Sequence, residues 1–289
     1  MIAALLIAGA ALAHASWNVA MKRAGTSGTA FIAATLLVGV IAFAPFGVAS
    51  LASEPASAFG WLVMALVAGS AAWQLAYFLL LQRGYRLADV GVVYPVARGV
   101  GPLLSVIAAI VLLGERPGPL ALVGALLVVT GVVVIGVAGA RRPITDEGRR
   151  SRGIRYGAAV GVVIAAYTLW DAAAVTLAGL PPVGYYWASM AVQLIVLGAI
   201  ALRAPSTAVE SVRAHPLAVV VVGVLSPLAY IAILYAYQLA PVAIVAPARE
   251  VSVVLIALAG WMLFREPHPG RRILGSVVVL GGVALLALG

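Results

Sequence analysis

Ten long apolar segments, separated by short gaps, constrain this chain more than any other feature of its sequence. Each is about 20 residues long, the length an α-helix needs to cross the hydrocarbon core of a bilayer. In chain order they cover residues 2–20, 29–49, 59–81, 88–113, 118–138, 154–178, 183–203, 215–238, 242–264 and 270–288. We therefore predict an all-α integral membrane protein with ten transmembrane helices.

The first segment also needs to be distinguished from a cleaved signal peptide. No positively charged region precedes it, and its apolar character continues through Trp17 to Met21. A signal peptide begins with a basic region and has a shorter apolar stretch. We therefore count this segment as a transmembrane span.

The composition supports a membrane protein and excludes several other classes. Of the 289 residues, 64% are hydrophobic and 9% are charged, whereas soluble domains carry about 45–50% and about 25%. The segments are too long for the strands of a β-barrel and lack their alternation. The basic residues form no patch, so we expect no nucleic-acid partner. The chain has no cysteine, which excludes disulfides and Cys-based metal sites.

No catalytic motif stands out from the sequence. There is no P-loop, and no His-x-x-x-His or Gly-x-Ser-x-Gly pattern occurs. We therefore expect no enzyme activity, no ATP binding, no cofactor and no metal.

The distribution of lysine and arginine predicts the orientation of the chain. Of the 18 basic residues, Arg98 and Arg249 lie inside segments, and only Arg116 lies in an even-numbered gap. All the others lie in odd-numbered gaps or at their flanks. Since basic loops stay in the cytoplasm, the bias predicts that the odd gaps are cytoplasmic and both termini are outside.

The two halves of the chain resemble each other at an offset of about 150–153 residues. The matching positions keep their order along the chain. Trp17-Asn18 matches Trp170-Asp171, Ala76-Tyr77 matches Ala229-Tyr230, Pro95-Val96-Ala97-Arg98 matches Pro247-Ala248-Arg249, Glu115-Arg116-Pro117 matches Arg265-Glu266-Pro267, and Gly124 and Gly131 match Gly275 and Gly282. The longest polar stretch lies between the halves. We therefore predict a first five-helix repeat at 1–140, a basic cytoplasmic linker at 141–153 and a second five-helix repeat at 154–289.

An odd number of spans in each repeat has a geometric consequence. The second repeat must enter the membrane from the opposite side, so the two repeats are inverted. Inverted repeats with a binding site near the membrane midplane are typical of secondary transporters.

Short motifs at matching places in the two halves resemble those of the drug/metabolite transporter superfamily, in its ten-span EamA-type branch. They are Ala13-His14-Ala15-Ser16-Trp17-Asn18 with Lys22, Tyr94-Pro95 with Arg98 and Pro102, Gly114-Glu115-Arg116-Pro117, Pro247, and Phe264-Arg265-Glu266-Pro267. The last motif lacks the glycine of its counterpart in the first half. The resemblance covers essentially the whole chain.

The resemblance implies a carrier or exporter of amino acids, other metabolites or drugs in the plasma membrane, which would be the inner membrane of a bacterium. We expect a small-molecule substrate, alternating access and a monomer or homodimer in the lipid bilayer. The competing hypotheses are a membrane-embedded enzyme, a lipid-handling protein on the same fold, and a channel or scaffold. The resemblance favours export.

Polar and aromatic residues inside the segments are the candidates for a binding site, because ionisable groups are costly in a bilayer. Those on the first, fourth and sixth segments recur at helical spacing and share helix faces. The predicted substrate-binding residues are His14, Trp17, Asn18, Gln74, Tyr77, Tyr94, Arg98, Tyr167, Trp170, Asp171, Trp187, Tyr230 and Arg249, and the proton-coupling candidates are Asp171 and Glu250.

Their depths predict two polar layers around an aromatic cavity, one with Asn18 and Arg98 and the other with Asp171, Arg249 and Glu250. Other roles stay open at this point. Arg98 either faces the cavity or extends to the interface, and Arg249 with Glu250 either binds solute or fixes helix packing. Asp171 either binds solute or protons, or joins two helices by a hydrogen bond. His14 either forms an interhelical hydrogen bond or acts as a titrating gate.

Overall fold

The computed structural model describes residues 1–25, 28–54, 60–88, 90–138, 147–265 and 269–289, and within these ranges all regular structure is helical. The helices are α1 (Ile2–Ala24), α2 (Thr29–Ala52), α3 (Trp61–Leu87), α4 (Val90–Leu112), α5 (Pro119–Ala138), α6 (Glu147–Thr176), α7 (Pro182–Ala201), α8 (Pro205–Ala214), α9 (Pro216–Leu239), α10 (Val242–Ala248), α11 (Val251–Phe264) and α12 (Pro269–Leu288).

Ten spans among the described residues are long and apolar enough to cross a membrane, which confirms the predicted number. The ninth span consists of two helices, α10 and α11, separated by two residues. That break was not predicted from the sequence. Nor was α8, a ten-residue helix in the gap between the seventh and eighth spans.

Local sequence signals explain where several helices begin and end. Gly25 ends α1 in the left-handed conformation (φ 65°), which glycine adopts without steric cost, and its N–H bonds to the carbonyls of Met21 and Lys22. Proline lies in the first turn of α7, α8 and α9. The first turn tolerates proline because the N–H groups there have no intrahelical partner.

The contact between α5 and α12 shows how the two repeats are related. A Cβ built on Gly124 would lie 2.7 Å from the Gly282 carbonyl oxygen, and one on Gly131 would lie 2.6 Å from that of Gly275. Gly282 is the repeat equivalent of Gly131, and Gly275 is the repeat equivalent of Gly124. Each of these two glycines of α5 therefore contacts the equivalent of the other one. This exchange requires a two-fold axis perpendicular to the helices. The axis therefore lies in the membrane plane, and the repeats are inverted.

The other helix directions agree with ten successive crossings. Val92, Val96 and Val100 on α4 pack against Gly153, Gly157 and Gly161 on α6, in the same order along both helices, so α4 and α6 are parallel. The order reverses between α2 and α7, where Gly47 meets Trp187 and Leu51 meets Gly184. Those two helices are antiparallel.

The pairs of helices in contact also recur when the repeats are exchanged. α1 packs on α9, and its counterpart α6 packs on α3; α2 and α7 pack on each other, as do α5 and α12. The centre of the protein is thus enclosed by both repeats.

Two stretches of the sequence analysis fall at or beyond the edges of the described residues. Residues 147–153, the end of the predicted linker, form the first turns of α6. Residues 139–146 and the Glu266-Pro267 part of the second-half motif lie outside the described residues. The domain boundaries stay a prediction.

Candidate functional site

A central cavity of about 200 Å³ lies between the two repeats. Its wall comes from α1, α3, α4, α6, α7, α9, α11 and the break between α10 and α11. Nine predicted site residues line it: His14, Trp17, Gln74, Tyr77, Arg98, Tyr167, Tyr230, Arg249 and Glu250. Both halves of the chain therefore contribute charged and aromatic groups to one space.

The break in the ninth span places two charged residues at this cavity. Pro247 has no N–H to donate to the preceding turn, and the Glu250 N–H bonds to the Pro247 carbonyl three residues back. Arg249 and Glu250 form the two-residue junction between α10 and α11. Discontinuous helices at the midplane are a common way for transporters to form a binding site.

A salt bridge joins the two repeats at the junction. The Nη1 atom of Arg98 on α4 lies 3.3 Å from both carboxylate oxygens of Glu250. The Glu250 side chain is 1% exposed, so this carboxylate is removed from solvent. The Arg249 Nε atom lies 3.7 Å from the same carboxylate. Two guanidinium groups therefore share one carboxylate.

Arg249 has only neutral partners besides Glu250 among the described residues. Its two terminal nitrogens donate to the Tyr237 hydroxyl at 3.4 Å and the Thr168 hydroxyl at 3.3 Å. Its guanidinium lies 5.9 Å from the centre of the Tyr167 ring. These long bonds leave the guanidinium able to take a stronger anionic acceptor.

Arg98 is held on its other side by aromatic neighbours. Its Nη2 atom lies 3.3 Å from Nε2 of His14, and its guanidinium lies 5.5 Å from the centre of the Tyr94 ring. Arg98 thus faces the cavity centre, where the two predicted layers meet in one network. Asn18, which the sequence placed with Arg98 in one polar layer, donates a hydrogen bond to the His14 carbonyl on its own helix.

Asp171 is fully buried beside the cavity and is held by neutral donors. The hydroxyls of Tyr230 and Tyr185 donate to it at 2.5 Å and 2.7 Å, and the Gln74 amide donates at 3.4 Å. The described residues give it no ion pair. Because Tyr230 also lines the cavity, one side chain connects Asp171 to the space where a solute would lie.

Two tryptophans that were predicted to bind substrate pack between helices. The indole N–H of Trp170 donates to the Leu66 carbonyl, and that of Trp187 donates to the Val40 carbonyl, both at 2.9 Å. Neither lies among the cavity-lining residues, and the same holds for Asn18 and Tyr94.

A row of tyrosines forms one wall of the cavity. The Tyr77 and Tyr167 rings are 6.0 Å apart, Tyr167 and Tyr230 are 6.2 Å apart, and Tyr230 and Tyr186 are 4.6 Å apart. Such a surface suits a flat apolar group, with hydroxyls at its edge.

Sequence reasoning missed several residues at the site. Tyr186 and Ser226 line the cavity, and Tyr185 bonds to Asp171. The Tyr185-Tyr186 pair on the seventh span was a visible polar signal there. Ser226 and the Arg249 partner Thr168 are small hydroxyl residues, common in membrane helices, and nothing in the sequence distinguishes them.

Comparisons with known proteins agree with this architecture. The sequence model of the EamA-like transporter family matches residues 1–137 and again residues 151–288. A solved crystal structure is similar at a TM-score of 0.78 and 20% identity, over 99% of this chain and 96% of that one. That similarity shows the fold. No curated protein matches the chain.

Proposed function

Because the chain belongs to the EamA-like transporter family, within the drug/metabolite transporter superfamily, we propose that it is a secondary carrier that moves a small anionic solute by alternating access. The observation that carries this proposal is the shared carboxylate at the cavity. Arg98 and Arg249 bring two positive charges to the cavity, and Glu250 brings one negative charge. An anionic solute would balance the remaining charge.

The side chains that line the cavity limit which solutes could bind there. Guanidinium groups bind carboxylate and phosphate through paired N–H donors. The tyrosine row offers a flat apolar surface next to these donors. The proposed substrate is therefore a small carboxylate or phosphate with an apolar body, as an amino acid, another metabolite or a drug can have.

The inverted repeats supply the mechanism of the proposal. Exchanging the conformations of two related halves converts a cavity open to one side into a cavity open to the other. The Arg98–Glu250 pair connects the two halves that exchange conformations, since each residue belongs to a different repeat. A solute that takes one guanidinium from Glu250 would loosen that link between the halves.

Direction, coupling and location belong to the same proposal. Family membership favours export over import. Proton antiport through Asp171 or Glu250 would supply the driving force, because these are the carboxylates at and beside the cavity. The distribution of lysine and arginine favours an orientation with both termini outside, and the family resemblance favours the plasma membrane, which would be the inner membrane of a bacterium. A carrier is also favoured over the enzyme and lipid-handling alternatives by the transporter family itself.

Counterflow in proteoliposomes tests the proposal, with benzoate as the carboxylate probe and inorganic phosphate as the phosphate probe. The vesicles are loaded with unlabelled probe and diluted into trace labelled probe. A carrier gives transient, saturable accumulation with one of the two probes. Absence of counterflow and of binding with both would contradict an anion carrier.

Matched variants connect the transport to the site. Arg249→Ala removes the guanidinium whose partners other than Glu250 are neutral. It should raise the apparent KM about tenfold or more, because hydrogen bonds to charged groups contribute about 1.5–3 kcal/mol. Arg213→Ala, on α8 away from the cavity, controls for a general loss of charge and should transport normally.

A further inference from the structure

Three tryptophans in the first, sixth and seventh spans differ in what their indole N–H groups contact. Those of Trp170 and Trp187 each donate to a carbonyl of a neighbouring helix. The Trp17 Nε1 atom is buried and has no hydrogen-bond partner among the described residues. A buried donor without an acceptor is unfavourable, so a bound group that brought an acceptor to this N–H would relieve that cost.

The repeat explains why Trp17 differs from its counterpart Trp170. The acceptor of Trp170 is the Leu66 carbonyl on α3, and the equivalent position on α9, at the offset of 153 that relates Tyr77 to Tyr230, is Val219. Trp170 packs directly over Gly69, where a Cβ would collide with its ring. The residue equivalent to Gly69 is Val222.

Val222 therefore has a branched side chain at the position where Gly69 has none. Trp17 packs against an apolar cluster that contains Val219 and Val222. The Trp17 N–H has no carbonyl partner among the described residues, whereas that of Trp170 reaches the Leu66 carbonyl beside Gly69.

The position of Trp17 connects this unpaired donor to the charged centre. Trp17 lines the cavity. Its ring meets that of His14 edge to face, with centroids 4.8 Å apart, and the His14 Nε2 atom lies 3.3 Å from Arg98. Trp17 therefore belongs to the same wall as the guanidinium, with its buried N–H close behind the surface of that wall.

We propose that the indole N–H of Trp17 donates a hydrogen bond to an oxygen of the transported anion, beside the guanidinium groups of Arg98 and Arg249. Trp17 is then a specificity residue. It selects solutes with an acceptor oxygen next to the apolar body, and Trp170 keeps a packing role. The inference rests on the proposed anion carrier and assigns a further donor to its site.

Binding measurements on the purified protein test this inference, with benzoate and inorganic phosphate as probes and benzyl alcohol as the neutral control. Trp17→Phe keeps an aromatic ring and removes the donor, and it should weaken binding of the better anion about tenfold. Trp170→Phe, the matched control, also loses an indole N–H but should keep the affinity. Arg249→Ala should weaken binding about tenfold or more.

Nuclear magnetic resonance of ¹⁵N-labelled indole groups gives a second readout on the folded wild type. The Trp17 signal is the one that is absent from the spectrum of Trp17→Phe. This assignment requires only that a spectrum of the variant is recorded. Adding the anion should move the Trp17 indole proton downfield, and the signals of Trp170 and Trp187 should move less.

The outcomes separate this inference from the function on which it rests. If the anion binds the wild type and binds Arg249→Ala about tenfold or more weakly, but Trp17→Phe binds normally and the Trp17 signal stays in place, the role of Trp17 is overturned and the carrier proposal stands. If neither anion binds the wild type, both are overturned.

Discussion

Arg98 and Glu250 lie 152 positions apart in the sequence and form a salt bridge of 3.3 Å at the centre of the protein. Arg98 belongs to α4 of the first repeat, and Glu250 to the break between α10 and α11 of the second. The bridge is therefore both a part of the cavity wall and a link between the two halves.

Replacing one partner of this salt bridge should destabilise the protein. Glu250→Gln leaves two guanidinium groups close together without their carboxylate, and removal of one partner from a buried pair costs about 3 kcal/mol or more. In detergent, we expect the melting temperature to fall by roughly 6–10 °C. In Arg98→Ala/Glu250→Gln, the loss should be smaller than the sum of the single losses. Additive losses would show that the two residues are not coupled.

The glycine contact between α5 and α12 gives a prediction about packing. In Gly282→Ala the new Cβ would lie 2.6 Å from the Gly124 carbonyl oxygen, so the helices must separate, at a cost of about 1–3 kcal/mol. Gly281→Ala is the neighbouring control, because a Cβ there has no atom within 4 Å. Thermal unfolding should show a loss for position 282 and little change for position 281. Equal effects would contradict the close contact.

Glu115 gives a prediction about the broken span. Its two carboxylate oxygens accept the Val242 and Ala243 N–H groups at 2.7 Å and 2.8 Å, so the first repeat caps the start of α10 in the second. Glu115→Ala should lower stability by about 1–2 kcal/mol through loss of this cap.

The same change should also affect transport, because α10 carries Arg249 at its end. Arg116→Ala alters the exposed neighbour and serves as the control in both assays. If Glu115→Ala transports and unfolds like the wild type, Glu115 does not position α10.

Asp171 gives a prediction about pH. Glu250 is balanced by Arg98, whereas Asp171 accepts hydrogen bonds only from neutral groups among the described residues. A proton is thus the simplest cation for Asp171 to bind and release. Asp171→Asn should transport the probe at a rate that varies little with pH, while Glu250→Gln keeps the pH dependence of the wild type. Unchanged pH dependence in both variants would exclude proton coupling at these residues.

Much of the fold could be predicted from the sequence, because the bilayer leaves few choices. Ten apolar runs determine ten crossings, and five crossings in each half force the repeats to be inverted. The matching glycines at 124, 131, 275 and 282 were visible as a repeat. Their contact across the two-fold axis is a tertiary fact that no local pattern contains.

The site was less predictable for the same reason. Helical spacing places Trp170 and Asp171 on a face with Tyr167, but it does not say which neighbour each one meets. Trp170 packs on Gly69, and Asp171 lies behind Tyr230. The pairing of Arg98 with Glu250 depends on the break in the ninth span. Pro247 hints at such a break, although α4 contains Pro95 and Pro102 and stays continuous.

The proposed carrier requires that the cavity between the repeats opens to each side of the membrane in turn. Because the natural chain has no cysteine, a single one can be placed in the cavity as Ser226→Cys and treated with a membrane-impermeant thiol reagent in right-side-out and inverted vesicles. Ile195→Cys, on the exposed face of α7, is the lipid-facing control and should not react. Labelling of Ser226→Cys from both sides is the predicted result, and labelling from one side alone under all conditions would contradict alternating access.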